Sequence, residues 1–225
     1  IIFRMSINKV LKNPTSKLRK PPKIVPNVFV AFRVRNEQTI NPILDIHERL
    51  RNFDKKFESK LVPTRTLHIT LMVAKLEQDQ EENAKKAMET VGQAIREQEK
   101  KLQIHFHGIN SFGSRVLFGA VKEECLEPLR DLQKLVVEAF DNQGVKALDN
   151  RPIFHPHLTI ARGPRRKDEN HLAEELVACI SEDVVLGSEE IEELLLCKMN
   201  MDKVKDEFYK IIHSESLVFG NIIDT

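Results

Sequence analysis

Apolar residues along the chain switch between two spacings, and the switch predicts strands alternating with helices. In Asn27 to Val34 (NVFVAFRV), Val28, Val30 and Phe32 alternate with Phe29, Ala31 and Arg33, a mostly apolar strand pattern. From Asn41 to Phe57 the spacing becomes three and four, with Ile43, Ile46, Leu50, Phe53 and Phe57 on one side and Pro42 in the first turn. That is a helix laying one face on a sheet. A second strand is expected over Thr66 to Ala74 (TLHITLMVA), then a long charged helix over Gln78 to Gln103 that buries Ala84, Ala87, Met88, Val91, Ala94 and Ile95. Leu102 to Ile109 and Arg115 to Val121 read as a hairpin around the turn residues Asn110 to Ser114. Glu123 to Asn142 reads as a third helix, stopped near Gly144. A strand over Pro156 to Arg162, an acidic helix over Asp168 to Ile180, and strands near 183–186, 194–200 and 216–219 complete the pattern.

Within this pattern one short string occurs twice. Leu67-His68-Ile69-Thr70-Leu71 matches Pro156-His157-Leu158-Thr159-Ile160, and both read H-φ-T-φ with φ apolar. In a strand His68 and Thr70 share one face while Ile69 and Leu71 turn to the core, and the same holds for His157 and Thr159. Each copy follows a strand and a helix, so two lobes are expected to face each other across a groove.

Two imidazoles, with ordinary pKa values near 6.5, can divide into one proton acceptor and one proton donor near neutral pH. That division is what in-line displacement at phosphorus requires. Two threonine hydroxyls and nearby amides can hold the non-bridging oxygens and stabilise the developing charge without a metal. Arg162, two residues beyond Ile160, reaches the same groove only if the strand's length or a bulge turns it to that face.

Composition narrows the class. The chain has 225 residues, enough for one large or bilobal unit, and 35 Lys and Arg against 34 Asp and Glu leave a formal charge of +1. This near balance argues against a histone-like or RNA-coating protein whose affinity rests on bulk charge, so any polyanion must be met locally. Seven basic residues and no acid between Arg4 and Lys23 predict a flexible basic leader over residues 1–25, able to make a weak nucleic-acid contact, ahead of a domain over 26–225. The first residue, Ile1, points to an incomplete or processed chain. No stretch of about 18 apolar residues occurs, so no membrane span is expected. Cys125, Cys179 and Cys197 form no CxxC pair, and no secretory signal is legible, which points to a reducing compartment, the cytoplasm or nucleus.

The two motifs, with Gly108-Ile109 and Phe112-Gly113 ahead of the strand ending Phe118-Gly119-Ala120, resemble the 2H phosphoesterases, the LigT-like or 2′,5′ RNA ligase-like group. The resemblance covers about residues 26–219 and is nearest to the branch holding the central domain of A-kinase anchoring protein 7 and leukocyte-receptor-cluster proteins. It implies a bilobal α+β fold in which two antiparallel sheets line a central groove with helices outside. It also implies catalysis by His68, Thr70, His157 and Thr159 without a cofactor. The implied reaction is cleavage of a 2′,5′-linked nucleotide, an oligoadenylate or a cyclic dinucleotide with a 2′-5′ bond. The alternatives are opening of a 2′,3′-cyclic phosphate or an RNA end, and nucleotide binding without turnover. A monomer is expected. The anchoring helix that follows the domain in the anchoring protein has no counterpart before Thr225, so kinase anchoring is not expected of these residues.

Three further residues join the candidate substrate site: Phe112, in the hairpin turn, either to stack a base or to plug the core under the loop, His155 at the groove entrance, and Arg162. The pairs His155/His157 and His105/His107 have H-x-H spacing but lack further ligands, and no metal site is expected. His105 and His107 are placed on the outer face of a strand, and His47, His171 and His213 in solvent.

Overall fold

A computed structural model of the chain describes residues 24–99, 101–113, 115–148, 153–163, 183–199 and 208–218. One sheet joins β1 (Val28–Arg33), β2 (His68–Ala74), β7 (Glu193–Lys198) and β8 (Ile211–Ser216) in the order β2-β1-β7-β8. The other joins β3 (Gln103–Phe112), β4 (Val116–Val121), β5 (His157–Arg162) and β6 (Val185–Glu190) in the order β5-β4-β3-β6. Every pairing is antiparallel. With α1 (Glu37–Phe53), α2 (Glu81–Arg96) and α3 (Leu126–Asn142), this is the expected α+β architecture. Among the described residues no helix is long and apolar enough to cross a membrane.

The sheets are built alike: each motif strand, β2 or β5, is an edge strand beside the strand that precedes it by one helix. Those helices are exchanged. α1 lies between β1 and β2 in sequence but packs on β6, whereas α3 lies between β4 and β5 but packs on β2 and α2. One continuous core results, in which Phe32, Ile69 and Met72 of the first sheet are buried with Phe106, Leu158 and Ile160 of the second. Removing the motif strand of either sheet would therefore expose apolar surface in both.

The helix boundaries differ from the periodicity, for local reasons. α1 begins at Glu37 because the Asn36 side chain accepts the Gln38 N–H at 3.0 Å, as a helix cap does. The buried Glu189 carboxylate also accepts the Arg35 and Asn36 N–H groups, at 3.0 and 2.8 Å. Pro42 consequently lies inside the helix instead of in its first turn, and it has no N–H for the Gln38 carbonyl. The chain comes close at that carbonyl: Gly187 has φ +93°, and a Cβ there would stand 2.4 Å from Gln38 O. Asp54 ends α1 and caps a 3-10 turn, Lys55–Lys60, which carries Phe57 into the core.

Further along, a 3-10 turn at Gln78–Gln80 precedes α2, which stops at Arg96, so Gln103 opens β3 instead of closing a helix. A similar turn, Glu123–Cys125, precedes α3. β3 runs on to Phe112, into the expected turn, because Asn110, Ser111 and Phe112 find partners on β4. Among the described residues the last strand is Ile211–Ser216, paired with β7, instead of 216–219, and β6 reaches Glu190. In short, weakly alternating segments took the register that their neighbours offered. The predicted leader up to residue 23, the acidic helix over 168–180 and His171 lie outside the described residues.

Candidate active site

Both motifs end on a β-bulge. Along β1 and β2, Arg33 opposes His68 and Ala31 opposes Thr70, but Val30 opposes Met72, which leaves Leu71 as an extra residue. Along β4 and β5, Ala120 opposes His157 and Phe118 opposes Thr159, but Leu117 opposes Ala161, which leaves Ile160 extra. A bulge changes which residues face out beyond it. Leu71 and Met72 are consequently both buried, and Arg162, opposite Val116, comes round to the face of His157 and Thr159. The condition set by the sequence on Arg162 is met by this bulge.

The Ile160 carbonyl is held from two sides. It accepts the Val62 N–H at 2.9 Å and the His47 Nε2–H at 3.1 Å. His47 is thus no solvated histidine: it is 2% exposed and pins α1 to the bulge, and burial pushes its pKa below the ordinary value. His213, also expected in solvent, is half-buried on β8 with Nε2 3.3 Å from a Glu215 carboxylate oxygen.

The two motif imidazoles are held in the same way. His68 Nδ1–H donates to the Thr66 carbonyl at 2.7 Å, and His157 Nδ1–H donates to the His155 carbonyl at 2.8 Å. Each carbonyl belongs to the residue two places upstream. Because a carbonyl only accepts, Nδ1 carries the proton in the neutral ring, and Nε2 is left with the lone pair. His155 therefore contributes its backbone to His157, while its own side chain is exposed.

Around His68 lie Phe29 (centroid distance 5.2 Å), Tyr209 (5.4 Å) and Phe208 (6.1 Å). Around His157 lie Phe112 (4.8 Å, edge-on) and Phe118 (5.5 Å). Phe112 stacks on Phe118 at 4.3 Å and stays 37% exposed, so a strand end holds it, not the turn assigned from sequence. The remaining cluster under His68 is Ala31, Leu195 and Cys197, whose thiol burial pushes up to about 12, too high to act as a thiolate near neutral pH.

A cleft of about 430 Å³ opens between the sheets, lined by His68 and Thr66 on one side, Thr159, Arg162 and Gly163 on the other, the Ser59–Pro63 segment, and Tyr209. Among the described residues, its lining includes two cations, Lys60 and Arg162, and no carboxylate. Burial raises the Tyr209 pKa, which keeps the phenol protonated and able to donate. Thr70 and His157 share the faces of the lining residues on their strands without lining this cleft themselves. His105 and His107 point away from the core, as expected, and His107 pairs with Asp183 at 3.2 Å. Among the described residues no three His, Cys, Asp or Glu side chains gather to hold a metal.

Arg33, Phe208, Tyr209 and the Ser59–Pro63 segment escaped the sequence reading. Only Arg33 carried a signal, as a charge within an otherwise apolar strand.

Two antiparallel sheets meeting at a groove, with an H-φ-T-φ strand at the inner edge of each, define the LigT-like fold of the 2H phosphoesterase superfamily. The structure of Escherichia coli LigT complexed with 3′-AMP has this fold, at a TM-score of 0.56 and 16% identity over 85% of this chain and 97% of that one. The MHV ns2 PDE domain has it at a TM-score of 0.51 and 17% identity, covering 78% and 100%. The family model described as AKAP7 2'5' RNA ligase-like domain matches residues 26–217, and the chain belongs to that family. Human A-kinase anchor protein 7 isoform gamma is 27% identical over 165 residues, which are 71% of this chain and 47% of that protein. An uncharacterised Caenorhabditis elegans protein is 21% identical over 146 residues, 65% and 61%. The chain spans about half of the human relative's length.

Proposed function

We propose that the chain is a phosphodiesterase that cleaves 2′,5′-linked nucleotides, oligoadenylates or cyclic dinucleotides with a 2′-5′ bond, by two-histidine acid–base catalysis. The observation that carries this reading is the matched pair of Nδ1–H bonds to backbone carbonyls, which hold the His68 and His157 imidazoles in the same tautomer on the two motif strands. The free 3′-hydroxyl beside the scissile phosphate attacks phosphorus. One imidazole Nε2 takes its proton, and the other gives one to the departing 5′-oxygen, leaving a 2′,3′-cyclic phosphate. Thr70 and Thr159 donate to the non-bridging oxygens, and Arg162 neutralises their charge. Imidazole, hydroxyl and guanidinium groups supply every proton and charge this route needs, so no metal enters it.

Supporting the reading, the cleft has room for a nucleotide and is cationic. LigT, which shares the fold, has been solved with 3′-AMP, with ATP and with NADP+. Phe112, exposed beside His157, offers a face on which a base can stack.

The test is cleavage of 2′,5′-linked diadenylate and its 3′-deoxy analogue, in EDTA, with products identified by mass spectrometry. Expected are a 2′,3′-cyclic product from the first, no reaction of the second, and full activity in the chelator. Cleavage of the deoxy analogue with uptake of solvent oxygen would replace the 3′-hydroxyl by water as the nucleophile. Binding of both compounds without cleavage would leave a nucleotide-binding module.

A further inference from the structure

His68 and His157 share a hydrogen-bond pattern but are walled differently. The wall of His157 belongs to its own sheet: Phe118 stands on β4, Phe112 on β3, and Ala120 lies directly opposite. Much of the wall of His68 comes from two connecting segments. One is the Thr64–Thr66 turn, whose Thr66 carbonyl takes the Nδ1–H, and the other is the segment at 208–210, where Phe208 and Tyr209 meet the imidazole edge to face. Neither segment is part of a strand; the second is tied by its backbone at one end, where the Lys210 carbonyl accepts the Lys198 N–H of β7 at 2.9 Å, so the placement of Phe208 and of the turn beside the imidazole also depends on side-chain ties.

Arg33 makes both ties. Its Cα pairs with that of His68 across β1 and β2, and directly opposed residues project on one face, so its side chain emerges beside the imidazole. One Nη2–H donates to the Arg65 carbonyl at 3.2 Å, in the turn. The guanidinium carbon stands 4.3 Å from the centre of the Phe208 ring. Nε is buried without a hydrogen-bond partner among the described residues. Arg33 is not one of the residues lining the cleft, so it acts on a ligand only through its neighbours. A guanidinium offers donors at its rim and a flat cationic face at once, and a lysine ammonium cannot make both contacts from one position.

We infer that Arg33 is a positioning residue for His68, clamping the Thr64–Thr66 turn and Phe208 on two sides of the imidazole so that Nδ1–H stays on the Thr66 carbonyl and the lone pair stays on Nε2. The catalytic consequence rests on the phosphodiesterase reading. The imidazole geometry does not, and it can be measured separately.

Long-range ¹H–¹⁵N spectra of the imidazoles in the wild-type chain, Arg33→Met and Arg33→Lys read the tautomer directly. The expected result is a single Nδ1–H tautomer for His68 and His157 in the wild type. In Arg33→Met, His68 alone should become a mixture of tautomers, with partial recovery in Arg33→Lys. On 2′,5′-linked diadenylate, Arg33→Met should lower kcat by about 10- to 100-fold with KM changed less than about twofold, as a misplaced group does. An unchanged His68 spectrum in either variant overturns the inference, whatever the activity. So does a raised KM at unchanged kcat, which would make Arg33 a substrate contact. Should the wild type cleave no 2′,5′ bond, the proposed function fails and the His68 tautomer still decides the role of Arg33. If Arg33→Met does not fold, Arg33→Lys, which keeps the charge and loses the fork, carries the same test.

Discussion

His47 is the place where pH should act on the fold, through a single proton. It is 2% exposed, donates Nε2–H to the Ile160 carbonyl at 3.1 Å, and has a pKa lowered mainly by burial, with Arg51 adding to the effect and the Ile160 bond and Glu58 opposing it. A histidine whose folded pKa lies below its unfolded value of about 6.5 contributes full stability above that pH. Below it, the unfolded chain takes up a proton that the folded chain refuses. Stability then falls with pH at a slope approaching about 1.4 kcal/mol per unit, until the folded pKa is reached. His47→Gln isolates this contribution, because the amide keeps a donor for the carbonyl and does not titrate, while the Val62 N–H remains on the same oxygen. Urea unfolding of both proteins from pH 8 to pH 5 is the assay. Their difference should be constant above pH 7 and move against the wild type by at most about 1.4 kcal/mol at pH 5.5. With an m-value of about 2 kcal/mol/M, that is a relative midpoint shift of up to roughly 0.7 M. Two stability curves that stay parallel across the range would refute the reasoning, since His47 would then titrate alike folded and unfolded.

Two further outcomes are expected. His68→Ala and His157→Ala should each lower turnover of 2′,5′-linked diadenylate by about 10²- to 10⁴-fold, and the double variant should lose less than the product of the two, measured with thermal unfolding as a control for folding. Gly187→Ala forces a Cβ to 2.4 Å from the Gln38 oxygen at φ +93°, whereas Gly113→Ala, at φ +53°, meets nothing within 4 Å. The first should cost roughly 2–4 kcal/mol and the second about 1 kcal/mol, so calorimetry should find a Tm fall several times larger for Gly187→Ala.

What could be read from the sequence was local. The H-φ-T-φ strings announced two matched strands, because a period of two places His68 with Thr70, and His157 with Thr159, in any extended backbone. The stripes of Ala84, Ala87, Met88 and Val91, and of Leu129, Leu132 and Val136, announced α2 and α3, because a period of 3.6 needs no partner to be visible. The repeat itself suggested two lobes across a groove, and the family resemblance that followed from these strings implied that two antiparallel sheets line it.

Contacts between distant residues were decided only by the tertiary structure. The bulge at Ile160 that turns Arg162 toward Thr159 depends on pairing with β4 and on the bonds from His47 and Val62 to one carbonyl. The exchange of α1 and α3 between the sheets has no local mark, since an apolar helix face does not name the surface that covers it. His47 fits a helix equally well buried or solvated until β5 offers a carbonyl to accept its Nε2–H. The clamp at Arg33 joins residues from three separate segments, to which the alternation of β1 is blind. Sequence periodicity reports which face a residue occupies, while register, bulges and packing depend on hydrogen-bond partners and apolar surfaces far along the chain, which exist only once it has folded.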